Sequence, residues 1–425
     1  MNIWLIFRFA GHHRAMSRAP ALDALRGVAA LAIVALHAWL YTTTVAEKGD
    51  SLGDAVVHQL RLGVPLFFVL SGFLLYRSWV VAARGGRPLP RLGTYARRRA
   101  ARVVPAYAAA LLGSLLLLAP LADVRGVDIP PLHALPLFAV FASNLSPATT
   151  GALDPPMWTL AVEVQFYVLL PVLAWLALDA PERRDTRVPG TARLLAPPLV
   201  LLAGGTLFNL AHAVGAGSIV VATSLPALAP CFACGMAAAV LAERPTVRRR
   251  PPGVRILVLL AAAALVVLDG GWHEADAGYA GRILRDLPAA AGFAAVILVA
   301  AQARGTTARV LATAPFRVLG ALSFPVYLWH MPLMLGLRGA HVFPEHHPAA
   351  AFAAVLAVTL PVAWLSWTFV ERPGIRWAAA RERRPGPGRE SRRPHLAERP
   401  QPADRPHLLV REPSPAAATA TATAH

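Results

Sequence analysis

The chain has 425 residues, 56% of them hydrophobic and only 15% charged, where an ordinary water-soluble domain carries about a quarter charged. Its mean hydropathy is +0.51 and its formal net charge +18, nearly all arginine, since Lys48 is the only lysine. A water-soluble domain is excluded. Nucleic acid, the partner such a charge often suggests, is not expected either, because the arginines fall where membrane topology puts them and lie in no nucleic-acid motif.

Residues 1–19 read as a lead outside the fold, with Met16 as an alternative start. From there on, apolar runs near twenty residues recur, the length that crosses a bilayer as a helix. They predict ten spans, at roughly 25–43, 62–82, 103–121, 157–178, 194–212, 218–242, 254–269, 286–302, 318–337 and 349–370. A spanning segment must satisfy its backbone internally, so the predicted class is an all-α membrane protein. The stretch 132–146 is apolar but short, and is expected to be re-entrant or interfacial. With the N-terminus inside, the inner segments hold 22 Arg and Lys and the outer ones 6. That bias predicts both termini on the cytoplasmic side of the cell membrane. The transmembrane domain is thus expected over 20–377. The Arg-, Pro- and Ala-rich tail, 378–425, lacks the apolar content for a core and is expected to be disordered.

Polar residues inside the spans come next, in chain order. Arg26 opens the first span and His37 lies eleven positions on. Eleven residues are about three turns, so both side chains share a face about 16 Å apart along the axis. Asp23 shares that face and is placed to pair with Arg26. Arg26 reads as a topological anchor or a binding group; His37 reads as an interhelical hydrogen bond or a base. Ser71–Gly72, in GVPLFFVLSGFLL, allows close helix approach; Ser71 as a nucleophile would need a base, and none is visible nearby in sequence. Arg99 and Arg102, ahead of Pro105, share a face of the third span and suit lipid headgroups or a phosphorylated ligand equally. Glu163, in PPMWTLAVEVQFY, lies two turns into the fourth span, and a carboxylate there faces the bundle interior or water. Trp158 and Tyr167 flank it as packing or interfacial aromatics. Cys231 and Cys234 form a CxxC in an apolar run with no second Cys or His pair, so they read as packing residues and no metal centre is expected. Ser323, Tyr327 and His330 share a face of the ninth span, and Glu371–Arg372 reads as a charge pair ending the tenth.

Taken together, these stretches resemble the membrane-bound acyltransferase 3 family. The elements run in order: Arg26 to His37, Gly63 to Phe73, Arg99-x-x-Arg102 before Pro105, Trp158 to Tyr167, Ser323 to Pro332, and a closing Glu-Arg-Pro at Glu371. Pro65 and Phe324 depart from the usual residues at their positions. The resemblance covers residues 20–375. It implies acyl transfer, acetyl foremost, from acyl-CoA (acetyl-CoA) as co-substrate to a hydroxyl of a sugar, glycolipid, polysaccharide or macrolide-type acceptor.

It further implies essential roles for His37, Arg26, Arg99 and Arg102. His37 is expected as the base, with Glu163 as its partner, or alternatively as the carrier of an acyl-histidine. The three arginines would hold the donor's phosphates. Ser71, Trp158, Ser323, Tyr327 and His330 are pocket candidates. The rival reading is a transporter using His37, Glu163 and His330 as a proton relay, but the internal repeats common in transporters are not visible. Acceptor identity, acyl length and oligomeric state are not legible in the sequence.

Overall fold

The computed structural model describes residues 20–42, 51–178, 189–214, 217–248, 251–274 and 278–383. All regular structure among them is helical. Ten helical segments are long and apolar enough to cross a membrane. Their principal helices are α1 (Pro20–Thr42), α2 (Gly63–Arg84), α3 (Leu92–Leu118), α4 (Met157–Leu178), α5 (Thr191–His212), α6 (Leu225–Ala242), α7 (Pro252–Glu274), α8 (Leu287–Ala300), α9 (Ala314–Gly339) and α10 (Pro348–Ser366). The chain is a multi-pass membrane protein, and the spans stand where the apolar runs predict them.

Helix ends extend past the apolar runs. α3 begins at Leu92 rather than near 103, because YARRRAAR is helix-compatible and long arginine stems can lie along the bundle while their heads stay solvated. α10 continues through a π turn, Trp367–Glu371, into α11 (Arg372–Arg383). Order therefore runs six residues past the boundary expected at 377, and Glu382 on α11 is ion-paired with Arg98. The expected lead 1–19 and the tail from 384 lie outside the described residues. The 132–146 stretch folds as short turns at Leu132–Ala134, Pro136–Ala139 and Ser143–Leu145, none long enough to cross. It packs beside the middle of α3, where Tyr107 donates to the Phe138 carbonyl at 2.8 Å.

Three packing groups meet around the site, one of them formed by α3, α4 and α9 around Tyr107 and Leu160. In the first, α2 and α6 cross at backbone contact: a Cβ on Gly72 would strike the Phe232 carbonyl, and one on Gly235 the Val69 carbonyl. Lipid tails give helices no hydrophobic reason to associate, so close approach of small residues is what holds such a crossing. Cys231 and Cys234 sit on α6 as free thiols, Cys231 buried. In the second group α1 packs on α9 and α10, with Gly27 against Leu319. His37 meets His330 ten residues along one helix and eleven along the other, so α1 and α9 run parallel and in step. α7 leaves Ile256, Leu257, Leu260 and Val267 exposed, as a lipid-facing helix does. At the arginine-poor end, Arg61 is paired with Asp286 (2.5 Å) and Asp269 (3.2 Å), and Arg338 with Glu345 (3.0 Å).

Candidate functional site

A cavity of about 70 Å³ lies where α1, α2, α3, α4 and α9 converge. Arg26, Arg99 and Arg102 line it together. Arg26 reaches it from α1, held by Asp23 one turn earlier at 3.7 Å. Arg99 and Arg102 enter from one face of α3, as their spacing requires. The Arg99 guanidinium lies 6.0 Å from the centre of the Tyr167 ring, and Arg102 is close enough to act electrostatically on Arg26. Guanidinium groups gathered in one half-buried space repel one another. An anion with several oxygens relieves that repulsion and matches their planar donors.

The balancing charge inside the cavity is Glu163. It acts electrostatically on Arg26 and accepts a hydrogen bond from Ser71 across α2 and α4. Farther from the arginines, Thr159 and Tyr327 close the cavity, their hydroxyl oxygens 2.6 Å apart. Both lie within reach of the Pro156 carbonyl, at 2.9 and 3.2 Å. Ser323 also lines the space, but its hydroxyl donates to the Gly320 carbonyl at 2.8 Å.

The histidines stand one helical turn beyond Tyr327. His37 Nδ1 is 2.9 Å from His330 Nε2. His330 is wholly buried, His37 partly so. The sequence-based expectation that Glu163 partners His37 is therefore corrected: the ring's partner is a second histidine, and the carboxylate belongs to Ser71 and the arginines. Helix depth was a poor guide here, because α1 and α4 both border the cavity but not at the same point on its wall. Tyr327 bridges the two regions, lining the cavity while its ring centre lies 5.8 Å from that of His330.

Residues 20–368 match the profile of the acyltransferase 3 family, described as an acyltransferase domain. The chain belongs to this family. Three relatives are informative. Acyltransferase MdmB of Streptomyces mycarofaciens is 29% identical over 176 residues, 39% of this chain and 42% of that protein. Putative peptidoglycan O-acetyltransferase YrhL of Bacillus subtilis (strain 168) is 25% identical over 381 residues, 85% of this chain and 55% of that protein. Nodulation protein 10 of Rhizobium leguminosarum bv. viciae is 30% identical over 169 residues, 36% and 43% respectively. The chain thus spans about half the length of the relatives it matches. No solved structure matches it.

In this acyltransferase 3 member, five of the six elements read from sequence lie on the five helices around the cavity, and the sixth, at Glu371, follows α10. Trp158 is an exception: it does not line the space but packs against the main core. Tyr167, read as packing or interfacial, lines the cavity beside Arg99. Thr159 also lines the cavity, and its only signal in the sequence is its place one turn before Glu163. The Glu371–Arg372 end pair is also corrected. Glu371 is 1% exposed in the π turn, where Arg102 acts on its carboxylate and Oε1 has no hydrogen-bond partner. A π turn shifts the phase of a helix, often at functional positions, and nothing in a 3.6-residue pattern announces it.

Proposed function

We propose that the protein transfers an acyl group, acetyl foremost, from acyl-CoA to a hydroxyl of a sugar, glycolipid, polysaccharide or macrolide-type acceptor. The observation that carries this reading is a three-arginine cavity whose lining residue Tyr327 stands next to a histidine pair, His330 buried and His37 partly so. The relatives whose names specify acyltransferase or O-acetyltransferase support the reaction class. The arginine end faces the cytoplasm, where acyl-CoA is made, and the guanidinium groups hold the donor's phosphates. Arg26 and His37 are about three turns apart on one face, comparable to the reach of a pantetheine arm.

His37 takes the proton of the acceptor hydroxyl as its oxygen attacks the thioester carbonyl. The tetrahedral oxyanion collapses, the C–S bond breaks, and His37 returns the proton to the leaving thiolate, giving the ester and free CoA. Histidine suits this exchange because its unperturbed pKa lies near neutrality. Glu163 takes no proton in this scheme; it offsets the arginine charge and fixes Ser71.

The test is release of CoA thiol from acetyl-CoA by membranes carrying the protein. Extracted glycans, glycolipids and secreted metabolites serve as acceptors, and acylated products are read by mass spectrometry. Parental membranes should release thiol with acceptor present, and His37→Ala membranes should not. Acylation at the parental rate by His37→Ala would remove the base assignment. No acylated product from any acceptor, with the protein inserted, would favour the proton-relay transporter.

A further inference from the structure

The two histidines share a geometry that fixes more than their contact. His330 Nδ1 lies 2.7 Å from the Tyr327 carbonyl and 3.2 Å from the Val326 carbonyl, on its own helix. Carbonyl oxygens only accept, so Nδ1 of His330 carries the proton. Its Nε2 is then the bare nitrogen of a neutral ring. His37 Nδ1 faces that nitrogen at 2.9 Å and must be the donor. The ring centres are 5.2 Å apart and the planes 13° from parallel. That separation equals the hydrogen bond plus the distance from each nitrogen to its ring centre. The rings therefore lie edge to edge in nearly one plane, with the bond along the lone-pair direction.

We propose that His330 is a positioning residue that locks His37 as its Nδ1–H tautomer, making His37 Nε2 the nitrogen that takes the acceptor's proton. The inference rests on the acyl-transfer reading of His37. A backbone carbonyl and a histidine here do what a carboxylate does in other catalytic triads: they set the tautomer and the ring angle. When Nε2 gains the hydroxyl proton, the positive charge spreads over the ring and the Nδ1–H bond to His330 becomes charge-assisted and stronger. No proton leaves the pair by this bond. The proton on Nε2 passes to the thiolate, and the tautomer is ready for another turnover. Because His330 is wholly buried and its own proton is held by its helix, the lock is set by the fold of α9 rather than by solvent.

Two variants of similar bulk separate the lock from packing. His330→Gln keeps an acceptor, Oε1, within reach of the His37 N–H. His330→Leu fills the space but accepts nothing, which frees His37 to turn or change tautomer. In membranes with acetyl-CoA and an acceptor established for the parent protein, kcat of the Leu variant should fall roughly 10²–10⁴-fold, the range for losing an orienting partner up to a wrong tautomer. The Gln variant should stay within about tenfold of the parent, and the donor KM of both should stay near the parental value because the arginines are untouched. Equal activity of the Gln and Leu variants, at either level, would overturn the proposal. His37→Ala in the same assay keeps the outcomes apart. If it is inactive while Leu and Gln behave alike, only the positioning role fails. If it is fully active, the base reading fails, whatever the His330 variants do.

Discussion

Ser71 and Glu163, on α2 and α4, are joined by a hydrogen bond inside the arginine-lined cavity. No base for Ser71 is visible along the sequence because Glu163 lies ninety-two residues away. The contact raises two chemistries: a serine activated by a carboxylate, or a carboxylate steadied by a serine. The transfer scheme through His37 requires the second. Ser71→Ala should therefore keep kcat within about tenfold of the parent, while losing about 1–3 kcal/mol of stability from the unpaired carboxylate oxygen. Glu163→Gln keeps an acceptor for Ser71 but removes the charge among the arginines, and should lose more activity than Ser71→Ala. Steady-state rates on purified protein decide the order. Acyl groups on the Ser71 peptide, sought by mass spectrometry, would reverse it.

Glu371 is fully enclosed beside Arg102, with Oε1 unpartnered. A buried carboxylate costs free energy, and the positive charge of Arg102 nearby offsets part of that cost. On the acyl-CoA reading proposed above, that attraction helps to hold Arg102 at the donor's phosphates. Glu371→Gln should raise the donor KM severalfold with kcat little changed, and Arg99→Ala with Arg102→Ala should raise it tenfold or more, since a hydrogen bond to a charged group is worth about 1.5–3 kcal/mol. Titration with acetyl-CoA at saturating acceptor measures both. An unchanged donor KM in the double variant would return these arginines to lipid and topology.

How much of this was legible follows from which forces act locally. The ten spans were, because length and apolarity suffice to mark a helix in lipid. The convergence of Arg26, Arg99 and Arg102 was partly so: i,i+3 spacing places Arg99 and Arg102 together, but meeting Arg26 depends on how α1 and α3 pack. The partner of His37 was not. Depth in the membrane allowed both Glu163 and His330, and only the parallel, in-step packing of α1 on α9 selects His330. The burial of Glu371 was not legible, because a π turn moves it inward although it stands beside Arg372 where the tenth apolar run ends.

The α2–α6 crossing predicts a strong steric response. Each of Gly72 and Gly235 faces a backbone carbonyl of the other helix, which cannot swing aside as a side chain does. Gly72→Ala should cost about 1–3 kcal/mol, the range for overpacking a tight core, or prevent accumulation. Gly204→Ala is the control, since nothing lies near its absent Cβ. Thermal unfolding in detergent, followed by size exclusion, should show a lower midpoint for Gly72→Ala only. Equal midpoints would mean that the helices can separate at no cost.

Asp154, in the loop before α4, is 1% exposed and neither carboxylate oxygen has a hydrogen-bond partner. Burial pushes its carboxyl well above the usual carboxylate range, because the charged form loses its water and gains nothing in return. The unfolded chain gives up this proton near pH 3.9, while the folded chain keeps it to a higher pH. Between those points the folded state binds more protons, so stability falls as pH rises, by about 1.4 kcal/mol per unit while the window lasts. Asp154→Asn removes that term. Its unfolding midpoint relative to the parent should therefore rise from pH 4 toward pH 7, whatever constant offset the amide brings. A difference that stays flat across this range would mean that Asp154 ionises in the folded protein as it does in the unfolded chain.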